Sequence, residues 1–161
     1  MPPSQASTPP STEPDGQPGS RPSSDKLKEI LSRIFDSQIP NHGDYNLVFG
    51  STGHHCWRNP APWKGKSFVI GYRWRPLELV IAPFDGNRLT AGGTPSAINM
   101  TNLSHAVELN GGGYEVGTNT GTTFRFGVQP RGQLPAAGYV VEQDEDSADF
   151  SRFMDGLIAA A

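Results

Sequence analysis

Cysteine is nearly absent from this chain. Cys56 is the only one in 161 residues, which excludes an internal disulfide and gives no sign of an oxidising compartment. Charge of either sign is also sparse, with 13 Lys and Arg against 16 Asp and Glu, for a net charge of -3. A nucleic-acid partner is disfavoured, because domains that bind one are strongly basic. No apolar run approaches the roughly 18 residues of a membrane span. The N-terminus also lacks the basic start and apolar stretch of a signal peptide. These absences make the expected location cytoplasmic, with only peripheral membrane contact open and the oligomeric state unspecified. Length allows one domain at most.

Proline is concentrated at one end. Residues 1–24 hold seven of the 15 prolines and no aliphatic side chain larger than alanine beyond Met1. Such a segment cannot bury enough apolar surface to offset the entropy of ordering it, so 1–24 is expected to be a disordered Pro/Ser-rich tail. Residues 25–161 then form a single globular domain, long enough to need no disulfide or metal staple.

Two amphipathic stripes bracket that domain. Leu27, Ile30, Leu31, Ile34 and Phe35 recur at helical spacing within 25–36, with Ser24 or Asp25 as the cap and Pro40 beyond the end. Phe150, Phe153, Met154, Leu157 and Ile158 repeat the spacing near the C-terminus, with Asp146 or Ser147 as the cap. Between them the pattern predicts strands at 45–50, 67–74, 77–82, 97–101, 106–109, 114–117, 122–128 and 139–142. Turn chemistry at Asn110–Gly113 and Asn119–Gly121 makes 106–128 an antiparallel meander. Residues 82–96 and 129–138 read as loops. The fold expected is mainly β in the α+β class: a small antiparallel β-roll or barrel of about seven strands with an N-terminal helix and a C-terminal capping helix. A secretion-chaperone-like α+β sandwich is the alternative.

The run "INMTNLSHAVELNGGGYEVGTNTGTTFRFGV", followed by "DFSRFMDGLIA", resembles the second half of a PH-like or GRAM-like domain. Leu103, Ser104, Val107, Tyr114, Val116, Phe124, Phe126, Phe153 and Leu157 occupy the motif positions, and the resemblance covers roughly 67–160. It implies a β-barrel closed by the C-terminal helix and a recognition role. The chain departs from the pattern in its N-terminal helix, its long 129–138 segment, and Phe153 where eukaryotic PH domains carry tryptophan.

Chemistry-bearing residues cluster in "GHHCWRNPAPWKG", residues 53–65. His54 and Cys56 share a face on an extended segment, and His42 can return across a turn to complete a His2Cys metal set with an open position. Against a structural zinc stand the single cysteine and the missing C-x-x-C spacing. Cys56 as a nucleophile needs a histidine base, and His55 points the other way on a strand, while His42, His105 and Asp44 are reachable only through the fold. Glu78, Asp85, Glu108 and Glu115 read as singly placed acids on a solvated strand face. The glycine-rich pieces lack the strand-to-helix setting of a phosphate loop. Neither a cofactor nor a catalytic residue is expected.

A different constellation carries further. No acidic residue occurs from Tyr45 to Leu77, while Trp57, Arg58, Trp63, Lys64, Lys66, Tyr72, Arg73, Trp74 and Arg75 interleave aromatic and basic side chains. Such a surface suits an anionic group or an acidic protein segment. The expected function is a non-enzymatic binding module recognising a protein or anionic ligand through Trp57, Arg58, Trp63, Lys64, Arg73 and Arg75. A metalloprotein or hydrolase using His54 and Cys56 is the rival reading, and an adaptor or chaperone-like interaction protein is a third.

Overall fold

The computed structural model describes residues 22–40, 43–52, 65–136 and 138–161. Two helices flank ten strands among these residues. Helix α1 is Ser24–Gln38; then come β1 Asn46–Ser51, β2 Ser67–Trp74, β3 Leu77–Asp85, β4 Thr90–Ala91 and β5 Ser96–Asn99. They are followed by β6 Leu103–Glu108, β7 Tyr114–Thr118, β8 Thr123–Phe126, β9 Arg131–Gln133, β10 Val140–Glu142 and helix α2 Asp144–Ala160. Residues 1–21 of the expected tail lie outside the described residues.

All strand pairing is antiparallel. One sheet runs β1-β2-β3-β4 with β5 also on β3, a second runs β6-β7-β8, and β9 pairs with β10. Tight turns set this arrangement. Gly111 and Gly112 adopt φ of 100° and 93° between β6 and β7, a region open to glycine. The expected Asn119–Gly121 turn joins β7 to β8, closed by Thr118 N–H donating to the Thr122 carbonyl at 2.8 Å. The two larger sheets meet where Ser51 and Gly127 exchange backbone hydrogen bonds of 3.0 and 2.8 Å. That seam is a single bridge, so the sheets form no closed barrel among the described residues.

The five-stranded sheet is buried on both faces, which explains its near-continuous apolar strands. On one face Phe68, Ile70 and Tyr72 of β2 and Leu79 and Ile81 of β3 meet the three-stranded sheet and α2. Phe150 of α2 sits 5.2 Å from Tyr72, 6.0 Å from Tyr114 and 6.2 Å from Phe126, ring centre to ring centre. On the other face Val69, Val80, Ala82 and Phe84 pack with Leu27, Leu31, Ile34 and Phe35 of α1 and with Leu134 and Val141. Both helical stripes thus pack at the expected residues, with Ile30 and Ile158 partly buried at their margins.

Several local expectations are corrected. Ser23, not Ser24 or Asp25, caps α1 by accepting from Lys26 N–H at 3.2 Å, while Ser24 Oγ accepts from Glu142 N–H at 2.8 Å and ties the helix to β10. Helix α2 begins at Asp144, before Asp146 and Ser147, because Asp144, Glu145 and Asp146 suit the positive end of the helix. Its N-cap residue Gln143 turns its side chain away and pairs with Phe49 of β1 instead. The segments read as loops contain β4 and β9, strands of two and three residues too short to show alternation.

Candidate functional site

Strand β2 organises the region that the sequence singles out. At its start, Thr52 N–H donates to the Lys66 carbonyl at 3.0 Å, and Lys66 N–H donates to Thr52 Oγ1 at 2.6 Å. The segment 53–64 therefore leaves and returns through a closed base. Thr52, Gly65, Lys66 and Ser67 line a cavity of about 1320 Å³. Its floor is apolar, with Phe68, Phe84 and Phe124, and Ser67 Oγ is buried beside it with no hydrogen-bond partner. Gly86 allows this closeness, since a Cβ there would meet Pro135 at 2.5 Å and Ser67 Oγ at 2.8 Å.

The opposite wall is the outer face of the three-stranded sheet. Register places Glu115 beside Arg125 and His105 beside Gly117. Glu115 Oε1 accepts from Arg125 Nε at 2.6 Å, and Glu115 Oε2 lies 3.1 Å from His105 Nε2. The Arg125 hydrogen bond, then that of His105, holds the Glu115 carboxyl below its ordinary value. Asp85 is likewise committed: its Oδ1 accepts from the backbone N–H of Arg88 at 3.0 Å and of Asn87 at 2.9 Å, which lowers its pKa. Both cavity acids are thus occupied by the protein itself. Lys66 is exposed and has no ion pair among the described residues, and Arg125 is 73% exposed with only Nε engaged.

The other end of β2 differs. Arg73 is seven residues from Lys66, about 23 Å along an extended strand. Its guanidinium lies 3.2 Å from Glu78 Oε1, its cross-strand partner, and 4.7 Å above the Tyr45 ring. Tyr45 hydroxyl donates to the same Glu78 oxygen. Asn99 Nδ2 donates to Glu78 Oε2 at 3.3 Å. Burial first, and then the Glu78 hydrogen bond, push the Tyr45 hydroxyl up to about 12. Glu78 is therefore a partly buried anchor and not a solvated acid, and its charge meets that of Arg73. Arg75 stands exposed in the β2–β3 turn, beside Trp74, which is 44% exposed and packs edge-on against Phe153 at 5.4 Å.

No protein-family model, curated protein or solved structure matches the chain. The site must be read from its own geometry.

Of the six expected ligand contacts, two are among the described residues. Arg73 and Arg75 sit at one end of β2, and Lys66 marks the other. Trp57, Arg58, Trp63 and Lys64 lie outside the described residues, as do His42, His54 and Cys56. Among the described residues, no group of three or more His, Cys, Asp or Glu is placed to hold a metal. No described helix is long and apolar enough to cross a membrane. Sequence reasoning passed over Ser67 and Arg125, and it set aside Glu115 as a singly placed, solvated acid, whereas Glu115 is bonded to Arg125 and His105. For Glu115 and Arg125 a signal existed: a turn centred on 119–121 places residues 115 and 125 opposite each other.

Proposed function

We propose that this chain is a non-enzymatic binding module, PH-like in plan, that recognises a protein or anionic ligand where segment 53–64 leaves and rejoins the sheet. The observation that carries this reading is the closed base at Thr52 and Lys66 on the lip of the large cavity. It fixes the origin of the segment bearing Trp57, Arg58, Trp63 and Lys64 on a packed scaffold. Binding residues belong on such loops, because the scaffold supplies position and the loop supplies contact. The PH-like plan is supported by the succession of β1, β2, β3 and β5, then β6 to β8, then a C-terminal helix. Helix α1 and the β9–β10 hairpin are additions to it.

Within this reading the basic and aromatic side chains of 57–66 form the recognition surface, with Lys66 as its anchored charge. Arg73 contributes to the fold through Glu78, and Arg75 lies at the far end. Binding is expected to weaken as salt rises, since the charges are exposed. The test uses two probes, phosphatidylserine vesicles and polyglutamate, with tryptophan fluorescence as the readout. At least one probe should bind the wild type, and Trp57→Phe with Trp63→Phe should remove the fluorescence change. Absence of binding to both probes, or an unaltered change in the double variant, contradicts the proposal.

A further inference from the structure

The chain holds one Asn–Gly pair, Asn110–Gly111, at the tip of the β6–β7 turn. It also holds three Asp–Gly pairs, at 85–86, at 155–156 and at 15–16, the last outside the described residues. In such a pair the glycine nitrogen can attack the preceding side-chain carbonyl, because no Cβ shields it. The surrounding structure decides whether it does. The nitrogen must be free of hydrogen bonds, the side chain must be able to swing onto it, and the carbonyl must carry a group able to leave.

Asn110–Gly111 meets all three conditions. Both residues are exposed at a loop tip. The turn is closed by Leu109 N–H donating to the Gly113 carbonyl at 2.7 Å and Gly112 N–H donating to the Leu109 carbonyl at 3.2 Å. Neither bond uses the Gly111 N–H or the Asn110 side chain, and both groups are without a hydrogen-bond partner among the described residues. A Cβ at Gly112 would meet nothing within 4 Å, so the tip has room for a ring to close. The two described Asp–Gly pairs are locked instead. Asp85 Oδ1 accepts from the Asn87 and Arg88 N–H groups, which keeps its carboxyl ionised and short of a leaving group. Gly86 beside it is buried against Pro135. Gly156 lies within α2, where the helical hydrogen bond occupies its N–H.

We infer that Asn110 is a site of spontaneous covalent modification built into the β6–β7 hairpin. The Gly111 nitrogen bonds to Asn110 Cγ, the Cγ–Nδ2 bond breaks, and Nδ2 leaves as ammonia with the displaced amide proton, relayed through water. The resulting succinimide takes up one water at either carbonyl and opens to aspartate or to isoaspartate. Aspartate places a carboxylate two residues from Glu108. Isoaspartate also inserts a methylene into the main chain within the turn, so the two closing bonds lose their fit. Tyr114, next along the chain, is buried with its ring centre 6.0 Å from those of Phe126 and Phe150. A change at the tip is therefore passed to the core. The reaction needs only water, and it stands whether or not the chain is a binding module.

The test ages the full chain in warm, mildly alkaline buffer and follows it by peptide mapping with mass spectrometry. The peptide holding Asn110 should gain the mass of OH in place of NH2 and split into aspartyl and isoaspartyl forms, at a rate that rises with hydroxide. Peptides holding 85–86 and 155–156 should give no isoaspartate from the folded chain, and should give it once the chain is unfolded by denaturant in the same buffer. Asn110→Gln should remove the reaction without moving the unfolding midpoint, since glutamine must close a larger ring. In the isoaspartyl fraction the Leu109 and Gly112 amides should exchange with solvent about tenfold faster or more than in fresh chain. An unmodified Asn110 peptide would overturn the inference, as would a Gly111 amide protected from exchange in fresh chain. Reaction of the Asp–Gly pairs as fast in the folded chain as at Asn110, or none even in the unfolded one, would overturn the role given to the fold. Unchanged exchange at Leu109 and Gly112 would overturn the effect on the hairpin.

Discussion

Gln143 shows how one side chain can act as a strand. Its amide oxygen accepts from Phe49 N–H at 2.8 Å, and its nitrogen donates to the carbonyls of Phe49 and Gln129, each at 2.9 Å. The residue is 2% exposed, so the buried primary amide completes the outer edge of β1. Replacing it by leucine keeps the volume and leaves three backbone groups without partners. Gln143→Leu should therefore cost at least about 2 kcal/mol in denaturant unfolding; a loss below half of that would mean that the groups find other partners. Gly71 is a complementary case. A Cβ there would lie 2.5 Å from the fully buried Phe35 ring, so Gly71→Ala should destabilise by about 1–3 kcal/mol through overpacking, measured the same way. Neither role was legible in the sequence. A glutamine next to an acidic run reads as surface, and a glycine within a strand shows only that something approaches closely.

At the scale of elements the sequence said more. The two helical stripes were legible because burial on one face imposes the 3.6-residue period, and both sit on opposite sides of the same sheet. Strand β2 was legible in full because both of its ends abut turn chemistry. Strands β4 and β9 were not, since their pairing is dictated by what they lie against: Gly132 of β9 accommodates the Phe49 ring. The cap positions were displaced by tertiary hydrogen bonds from Ser24 and Gln143 that no local pattern encodes. The three-stranded sheet carries its own prediction. Glu115 is held below its ordinary value near 4.5 by Arg125 and His105, so its contribution is present above that value and lost as pH falls through the lowered one. Thermal melts from neutral to acid pH should show a shallower acid loss for Glu115→Gln than for the wild type. Parallel acid limbs would mean that the pair is not coupled to folding.

For the whole molecule, the architecture is three layers sharing one central sheet, with a polar clasp at each end of β2. At one end, Tyr72 lies in the core and its hydroxyl donates to Asp149 at 2.7 Å; burial first, then this bond, raise its pKa. Tyr45 is raised to about 12 from 10. The unfolded chain releases these protons near pH 10 while the folded chain retains them, so stability must fall as pH rises from there toward 12 and beyond. Tyr45→Phe with Tyr72→Phe should flatten that alkaline loss in pH-dependent denaturation, and an unchanged slope would assign it to other groups. At the other end of β2 Lys66 has no ion pair among the described residues, whereas at this end Arg73 is paired with Glu78. That asymmetry was hidden in the sequence, where Glu78 stands one residue past the acid-free stretch and pairs back across the sheet onto Arg73. The basic and aromatic run looked continuous because strand register, which splits it, is a property of the pairing.

We propose that recognition occurs at the Lys66 end of β2 and not at the Arg75 end. Charge reversal at each end, read by salt-dependent binding of polyglutamate and of phosphatidylserine vesicles, separates them in one measurement. Lys64→Glu with Lys66→Glu should abolish binding of whichever probe the wild type takes up, and flatten its salt dependence, while Arg75→Glu leaves both as they were. Loss of binding in Arg75→Glu with retention in the double variant would contradict the account.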